Sequence, residues 1–454
     1  MTRDLLPDTG PDALPDTRRD LRRDLYAACA AALLFVTAAL VGTAVEHRDG
    51  SLFVDWPPLL ADWYPHLGPG TPAAIAVAVA VVAYGPPLAA GLRWRRLLLT
   101  VWGAGTAWTF SLALVDGWER GIARRLTTRY EYLQVIDRFH DIPAALRDFT
   151  HHILLDSPDH WPAHIAGHPP AATLTFVYLD RIGLGGGAWA GVFVIIVGAT
   201  AALAILLTVR TLADEKLARR AAPFLVLAPG AVWLGTAADG YFAAVAAWAV
   251  ALLALAVTGH RPRWTGLASG LLFGLLVYLS YGLTLFVVIA AAVLLLGSDR
   301  IRPLPFVLAG FLVVPIVFTA LGFSWWEAYD LLVTRYDQGA GGTRPQAYWV
   351  WANLACQVLV VGLATAAGLR RTGVTLLRRD RTAAFRLGVL VLAALVALLA
   401  ADLSGMSKAE TERIWLPFAL WLLPACALLT GVRGWLVAQA VLALLVNHLL
   451  LTGW

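Results

Sequence analysis

The chain has 454 residues, of which 59% are hydrophobic and only 14% are charged. Its mean hydropathy is +0.69, whereas soluble domains carry about a quarter charged residues. These values exclude a single water-soluble core and a disordered chain, and they predict a polytopic membrane protein. The net charge of +5 does not indicate nucleic-acid binding, because the basic residues lie mostly in short clusters between apolar runs.

The basic clusters predict the orientation of the chain. Lysine and arginine beside a membrane span tend to remain in the cytoplasm, so the cluster within residues 18–23 predicts a cytoplasmic N-terminus. Five further clusters belong to the same side: 93–96, 210–220, 261–263, 300–302 and 370–386. Only two of the 35 basic residues are lysines, which is typical of GC-rich bacterial coding. We therefore expect a multi-pass protein of a bacterial plasma membrane.

The apolar runs predict an all-α polytopic fold with about 12 to 14 transmembrane or re-entrant helices. Residues 1–23 are rich in Pro and Asp and are expected to form a disordered cytoplasmic tail. Residues 24–454 are expected to form one multi-span domain. The short run 171–185 is interrupted by Asp180 and Arg181. It is either re-entrant or an exception to the charge rule, and the sequence does not decide between these.

Three polar segments are predicted to lie outside, at 116–170, 323–347 and 403–414. Within the first, residues 130–150 predict an amphipathic helix at the membrane surface, because Tyr132, Val135, Ile136 and Phe139 share a face. Polar residues near the membrane are costly and usually functional. We therefore expect a site at the outer membrane face.

The order of motifs in residues 97–260 resembles the polyprenyl-phosphate-dependent glycosyltransferases of the GT-C type. A span leads to an outer loop in which Glu131 stands between two tyrosines, and His168-Pro169-Pro170 opens the next apolar run. The stretch 236–239, Thr-Ala-Ala-Asp, is similar to a family pattern of small residues before Asp. The chain departs from the pattern in having an extra pair of spans before the acidic loop. It also has Tyr-Glu-Tyr where an Asp-centred motif is usual.

The resemblance implies a hexosyl- or pentosyltransferase that acts with inversion. Its donor would be a polyprenyl-phosphate sugar, and its acceptor a cell-envelope glycan or a glycolipid. A transporter or lipid flippase is the alternative, because broken spans and an Asp at membrane depth also occur there. Against it, no inverted repeat is evident and the polar loops share one side. A non-catalytic scaffold would not account for the clustered outer acids.

An inverting transfer needs a carboxylate that deprotonates the acceptor hydroxyl. Glu131 is the first candidate for this base, followed by Asp116 and Asp137. The first two have a structural alternative, since Glu131 could be a solvated helix-surface residue and Asp116 could be an interfacial anchor. Asp137 lies nearly two helical turns beyond Glu131.

The reaction also needs cations near the leaving phosphate. Lys408 and Arg413 are the best candidates, since both are predicted outside, and His168 is a lesser one. Glu410 and Glu412 lie close enough in sequence to neutralise the two cations instead. The remaining candidate site residues are Asp239, Tyr130, Tyr281 and Arg344.

No cofactor is predicted, and a divalent metal is not favoured. His164 and His168 are four residues apart, which suits two ligands on one helix face. However, Pro162, Pro169 and Pro170 make a regular helix doubtful there, and the neighbouring residues show no specific ligand spacing.

Overall fold

The computed structural model describes residues 17–453, and its regular structure is nearly all helical. The helices of the first half are α1 (Thr17–Asp49), α2 (Thr71–Gly91), α3 (Trp94–Ala113), α4 (Ile142–Asp148), α5 (Ala163–Ala166), α6 (Ala171–Arg181), α7 (Gly187–Gly198), α8 (Ala201–Leu212), α9 (Glu215–Val226), α10 (Ala231–Leu234) and α11 (Ala238–Val257). Those of the second half are α12 (Pro262–Leu279), α13 (Phe286–Leu296), α14 (Leu304–Ala320), α15 (Trp325–Gln338), α16 (Ala340–Thr343), α17 (Gln346–Val361), α18 (Leu363–Arg378), α19 (Ala383–Leu403), α20 (Thr411–Ile414), α21 (Leu416–Ala419) and α22 (Val432–Leu449). Two short strands, β1 (Ala61–Trp63) and β2 (Leu450–Thr452), pair antiparallel.

The helical polytopic fold class is confirmed, with fewer full spans than expected. Within residues 17–453, seven helical segments are long and apolar enough to cross a membrane, and two bent pairs raise the total to nine. The seven are Arg18–Asp49, Thr71–Gly91, Trp94–Asp116, Gly187–Leu212, Ala238–Val257, Ala383–Leu403 and Val432–Leu449. Other apolar runs form shorter helices. The run 171–185 contains only the 11 residues of α6, about 16 Å of helix, which is too short to span about 30 Å of hydrocarbon.

Residues 17–23 differ from the expected disordered tail, because they are the first turns of α1. The carboxylate of Asp24 is fully buried and pairs with Arg370 at 2.9 Å and Arg371 at 2.6 Å. These ion pairs hold the start of α1 against α18. The rest of the predicted tail, residues 1–16, lies outside the described residues.

The predicted amphipathic helix over 130–150 is instead two helical pieces. Residues Tyr132–Phe139 form a 3₁₀ helix, and α4 begins at Ile142. Asp141 interrupts them, because its side chain accepts a hydrogen bond from the amide of Ala144 and caps α4, with Pro143 in the first turn. The apolar face is retained, since Tyr132 and Phe139 are buried.

Helices α12 and α14 pack unusually close through glycine. A Cβ atom on Gly270 would lie 1.9 Å from the carbonyl oxygen of Val307, and one on Gly310 would lie 2.1 Å from that of Leu267. Small residues at such positions allow helix backbones to approach closely in a membrane.

Segments that the charge pattern assigned to one side also meet in space. Arg219 on α9 donates to the carbonyl of Leu92, and Arg371 on α18 donates to that of Leu428. The end of the bundle where these arginines meet is called here the arginine end. The three polar segments meet at the other end, and they form the candidate site.

Candidate functional site

Three separate polar segments come together at one end of the bundle. Gln338 at the end of α15 donates to the carboxylate of Asp156 at 3.1 Å, and Arg335 donates to the carbonyl of Trp161 at 3.2 Å. Arg344 donates to the carbonyl of Lys408 at 2.7 Å. The segments 116–170, 323–347 and 403–414 thus border one cluster of charged side chains.

Arg413 lies at the centre of this cluster and is only 5% exposed. Its guanidinium donates to Asp239 at 3.1 Å and to Glu410 at 2.6 Å. Although burial opposes its charge, the carboxylates of Glu410, Asp239 and Glu131 raise the pKa of Arg413 above its ordinary value. The arginine therefore stays charged and holds two acidic side chains in place.

Local backbone structure positions both acidic partners. Asp239 lies in the first turn of α11, where the helix dipole favours a carboxylate. Glu410 adopts a left-handed conformation with φ of 60°, directly after Ala409 with φ of 69°. Such a pair of non-glycine residues is strained, and it turns the Glu410 carboxylate back onto Arg413, three residues later.

His164 links Arg413 to Glu131. Its Nε2 lies 2.9 Å from an Arg413 nitrogen, and its Nδ1 lies 3.0 Å from the Oε1 of Glu131. Because arginine can only donate, Nε2 of His164 must accept, and a neutral ring then carries its proton on Nδ1 and donates to Glu131. The chain from Arg413 through His164 fixes the orientation of the Glu131 carboxylate.

Glu131 is buried, with 5% exposure, and only one of its oxygens is bonded. Its Oε2 has no hydrogen-bond partner among residues 17–453. The backbone beside it is also fixed, because the amide of His164 donates to the carbonyl of Tyr130 at 3.0 Å. A positioned carboxylate with a free oxygen can accept a proton from a bound hydroxyl.

Two further cations border the cluster. The Lys408 ammonium donates to the carbonyl of Gly341 at 2.8 Å and is half-buried, so two of its three donors remain for a ligand. Arg344 donates to the carbonyls of Leu52 and Lys408 and lies 4.0 Å from Glu410. Arg344 thus braces the loop that carries Lys408.

His168 lies against the cluster but offers an acceptor. Its Nδ1 donates to the carbonyl of His164 at 2.8 Å. Burial lowers the pKa of His168 to about 3, and the positive charge of Arg413 acts in the same direction, so the ring is neutral. The remaining Nε2 can accept a hydrogen bond from a hydroxyl. A contact with a phosphate oxygen, as the sequence predicted, would require the other tautomer.

Asp116, the second candidate base, belongs to a different assembly. Its Oδ1 lies 2.8 Å from Nε2 of His66, and its Oδ2 accepts from Arg125 at 2.9 Å. Arg125 also donates to the carbonyl of Thr452 on β2. Both carboxylate oxygens are engaged, and they join α3, the loop before α2 and the C-terminal strand.

The other predicted residues lie apart from the cluster. Asp137 is exposed and has no hydrogen bond or ion pair with residues 17–453. Tyr130 is 42% exposed and packs under the guanidinium of Arg129. Tyr281 is buried in an aromatic group with Trp325, at a ring distance of 5.0 Å.

Glu412 is fully buried, and no other described residue hydrogen-bonds either of its oxygens. Burial raises the pKa of its carboxyl to about 7. Glu410 behaves differently, because burial is outweighed by the charges of Arg413 and Arg344, which hold its pKa below the ordinary value. The predicted neutralisation of a cation thus falls to Glu410, and Glu412 takes no part in it.

Sequence reasoning missed His164 as a bridge, having considered it only as a metal ligand. Within residues 17–453, no group of three or more His, Cys, Asp or Glu side chains has a geometry suited to a metal ion. The pairing of Glu410 with Arg413 had a local signal, since residues three apart on a helical turn are neighbours. The contact between His164 and Arg413 joins residues that are 249 positions apart, and no local pattern in the sequence indicates it.

No family model matches the chain, and no curated protein matches it. Among solved structures, it is similar to the oligosaccharyltransferase of Archaeoglobus fulgidus in the apo form, with 15% identity and a TM-score of 0.48, over 73% of this chain and 50% of that one. The archaeal oligosaccharyltransferase AglB from Archaeoglobus fulgidus, in complex with an inhibitory peptide and a dolichol-phosphate, has 14% identity and a TM-score of 0.43, over 73% of this chain and 50% of that one. ArnT from Cupriavidus metallidurans bound to undecaprenyl phosphate has 17% identity and a TM-score of 0.43, over 72% of this chain and 60% of that one. The chain therefore spans about half the length of the oligosaccharyltransferase structures.

Proposed function

We propose that the chain is an integral membrane glycosyltransferase that uses a polyprenyl-phosphate sugar donor. The observation that carries this proposal is the Glu131 carboxylate, buried at one end of an apolar bundle with one unbonded oxygen and an arginine–histidine support. Such an arrangement suits proton abstraction from a hydroxyl. The acceptor in the proposal is a cell-envelope glycan or glycolipid.

The proposed reaction is a single displacement with inversion. Oε2 of Glu131 takes the proton of the acceptor hydroxyl, while the hydroxyl oxygen of the acceptor attacks the anomeric carbon of the donor sugar. The bond between this carbon and the phosphate oxygen breaks, and polyprenyl phosphate leaves with its electron pair. Lys408 stabilises the leaving phosphate with its free donors, and Nε2 of His168 accepts from a sugar hydroxyl.

Arg413 is a positioning residue in this proposal. Its bonds to Asp239, Glu410 and His164 leave it committed to the cluster. We therefore assign direct phosphate contact to Lys408 and orientation of the base to Arg413. This divides a role that the sequence assigned jointly to the two cations.

An apolar groove beside the site suits a prenyl chain. It has a volume of about 280 Å³ and lies between α6, α12 and α14, with Tyr178 and Val317 on its walls. Ala171, the first residue of α6, borders it and follows the His168-Pro169-Pro170 motif directly. The prenyl chain would lie in this groove, with its phosphate toward Lys408.

The test is turnover by the purified chain in proteoliposomes. A polyprenyl phosphate carrying a labelled hexose or pentose is supplied with an extract of envelope glycans and glycolipids. We expect label in the acceptor fraction and an equal amount of free polyprenyl phosphate. Movement of the intact labelled lipid across the bilayer, with no transfer, would favour a flippase and contradict the proposal.

The proposal also places the site on the extracytoplasmic side. His160 is exposed in the first polar segment, and Arg302 is exposed in a predicted cytoplasmic loop. In a chain with its three cysteines replaced, a membrane-impermeant thiol reagent should label His160→Cys in intact cells. It should label Arg302→Cys only after lysis. The reverse pattern would place the site in the cytoplasm.

A further inference from the structure

The arginine end of the bundle contains a second polar cavity, remote from the Arg413 cluster. Its volume is about 490 Å³, and it lies between α2, α9 and α22. One wall is apolar and the other is charged. The lining residues are Pro86, Ala90, Pro223 and Val432, with Glu215, Lys216, Arg219 and Arg220.

The cavity lies at the depth of lipid headgroups. Pro86 and Ala90 belong to the last two turns of α2, and Val432 is the first residue of α22. Both helices are long and apolar enough to cross a membrane. A cavity at the ends of two spans is level with the boundary between hydrocarbon and headgroups.

The positive charge of this cavity is only partly balanced. Glu215 pairs with Arg219 at 2.6 Å and with Arg210 at 2.8 Å. Among residues 17–453, no carboxylate oxygen lies within 4.0 Å of a side-chain nitrogen of Lys216 or Arg220, so neither residue forms an ion pair there. One carboxylate therefore faces the three cations that line the cavity, and it also pairs with Arg210 outside the lining.

Arg220 carries the clearest sign of a missing partner. One of its terminal nitrogens donates to the carbonyl of Leu429, but its Nε is buried and has no hydrogen-bond partner in the described chain. A buried polar atom without a partner is costly, and the half-buried guanidinium that carries it also has no counter-ion. An anion in the cavity would satisfy both.

We propose that this cavity binds the phosphate headgroup of an anionic phospholipid. Phosphate oxygens would accept from Nε of Arg220 and from the ammonium of Lys216, and charge-assisted bonds of this kind are strong. The apolar wall of Pro86, Ala90 and Val432 would contact the glycerol and the first methylenes of the acyl chains. Basic pockets between membrane helices at this depth are a known type of lipid site. A free phosphate ion shares the anion chemistry but gains nothing from the apolar wall.

The experiment compares the full chain in nanodiscs of phosphatidylcholine with nanodiscs that also contain phosphatidylglycerol. Native mass spectrometry measures the lipid that remains bound, and melting temperature measures its stabilising effect. We expect retained phosphatidylglycerol and a higher melting temperature in the mixed nanodiscs. Arg220→Gln and Lys216→Gln should each weaken the retention roughly tenfold or more, the usual effect of losing a charged hydrogen bond. Arg302→Gln, an exposed arginine elsewhere on the predicted cytoplasmic side, is the matched control.

Equal retention of phosphatidylglycerol by wild type and both variants would overturn the proposal. Inorganic phosphate added to phosphatidylcholine nanodiscs distinguishes the source of the anion. If it raises the melting temperature as much as phosphatidylglycerol does, the site binds a free anion and the lipid assignment is wrong. Lys216 is exposed, so Lys216→Gln still decides the question if Arg220→Gln fails to fold.

Discussion

Asp116 and Glu131 are carboxylates of one polar segment, and each has a histidine neighbour with an arginine close by. His66 contacts one carboxylate oxygen of Asp116, and Arg125 contacts the other. His164 contacts one carboxylate oxygen of Glu131, and Arg413 bonds His164 instead of the carboxylate. The same residue types thus give a saturated structural anchor in one case and a carboxylate with a free oxygen in the other.

Glu412 extends the comparison to a third carboxylate, in which neither oxygen is bonded by another described residue. With no direct cation to offset burial, its pKa rises to about 7. The number of bonded oxygens therefore separates an anchor, a candidate base and a carboxylic acid that is substantially protonated at neutral pH. What decides the chemistry is the arrangement of partners, since all three side chains are largely buried.

The sharpest test of this comparison is Glu131→Gln. The amide keeps nearly the same shape and can still accept from Nδ1 of His164, but it cannot take a proton from the acceptor. We expect turnover to fall about 10²–10⁴-fold, the usual contribution of a general base, while folding is preserved. Single-turnover transfer in proteoliposomes measures the fall in turnover, and a melting curve shows whether the variant is folded. Activity within a few-fold of wild type would remove Glu131 as the base.

Glu412→Gln tests the protonated member of the series. A carboxyl whose folded pKa is about 7, above its ordinary 4.5, stabilises the fold below pH 4.5, and this stability is lost as the pH rises through 7. The difference between the two pKa values corresponds to about 3 kcal/mol. The variant should therefore lose less stability than wild type between pH 5 and about pH 8.

Melting temperatures across this pH range measure the effect, with the exposed Glu327→Gln as control. Parallel pH profiles for wild type and Glu412→Gln would show that the carboxyl is ionised in the folded chain.

Lys408→Gln tests the cations of the site. Arg125 and Arg413 both bond carboxylates, whereas within residues 17–453 the Lys408 ammonium donates to one carbonyl, that of Gly341. Loss of a charge-assisted bond worth about 1.5–3 kcal/mol should raise the donor KM about 10–150-fold if binding is at equilibrium. Turnover at saturating donor should change less. Arg263→Gln, exposed at the start of α12, is the control, and an unchanged KM would exclude Lys408 from the phosphate site.

Asp116→Asn should affect stability more than catalysis. The change removes the charge that His66 and Arg125 share, and charged hydrogen bonds contribute about 1.5–3 kcal/mol. We expect a loss of stability of about this size with turnover within a few-fold of wild type. Denaturation in detergent and initial rates on the folded fraction separate the two effects. A fully folded but inactive variant would transfer the base assignment from Glu131 to Asp116.

Much of this arrangement could be predicted from the sequence. Hydropathy gave the helical polytopic fold, and the charge pattern grouped the segments that carry Glu131, Arg344 and Arg413. Those predictions work because membrane burial and charge location act on each segment by itself. The outer-face assignment and the catalytic roles stay predictions.

The remaining features depend on contacts between distant residues. The difference between Asp116 and Glu131 arises from His66, 50 residues before Asp116, and from Arg413, which follows Glu131 by hundreds of residues. The prediction of local secondary structure was also wrong where two sequence signals favoured different structures. The apolar period over 130–150 favoured one helix, but the capping side chain of Asp141 ends it and begins α4.

The smallest effect is expected for Asp137→Asn, which tests whether the catalytic carboxylate must be buried and held by hydrogen bonds. Asp137 follows Glu131 by six residues, on the 3₁₀ helix, and is exposed without an ion pair or hydrogen bond in residues 17–453. A solvated carboxylate with no support is neither held in place nor shielded from water, so its loss should change stability by less than about 0.5 kcal/mol. Turnover and donor KM should match wild type in the assays used for Glu131→Gln. A large fall in turnover for Asp137→Asn, with normal turnover for Glu131→Gln, would show that the acceptor is deprotonated at the surface. The buried cluster around Arg413 would then be a structural anchor of the same kind as Asp116.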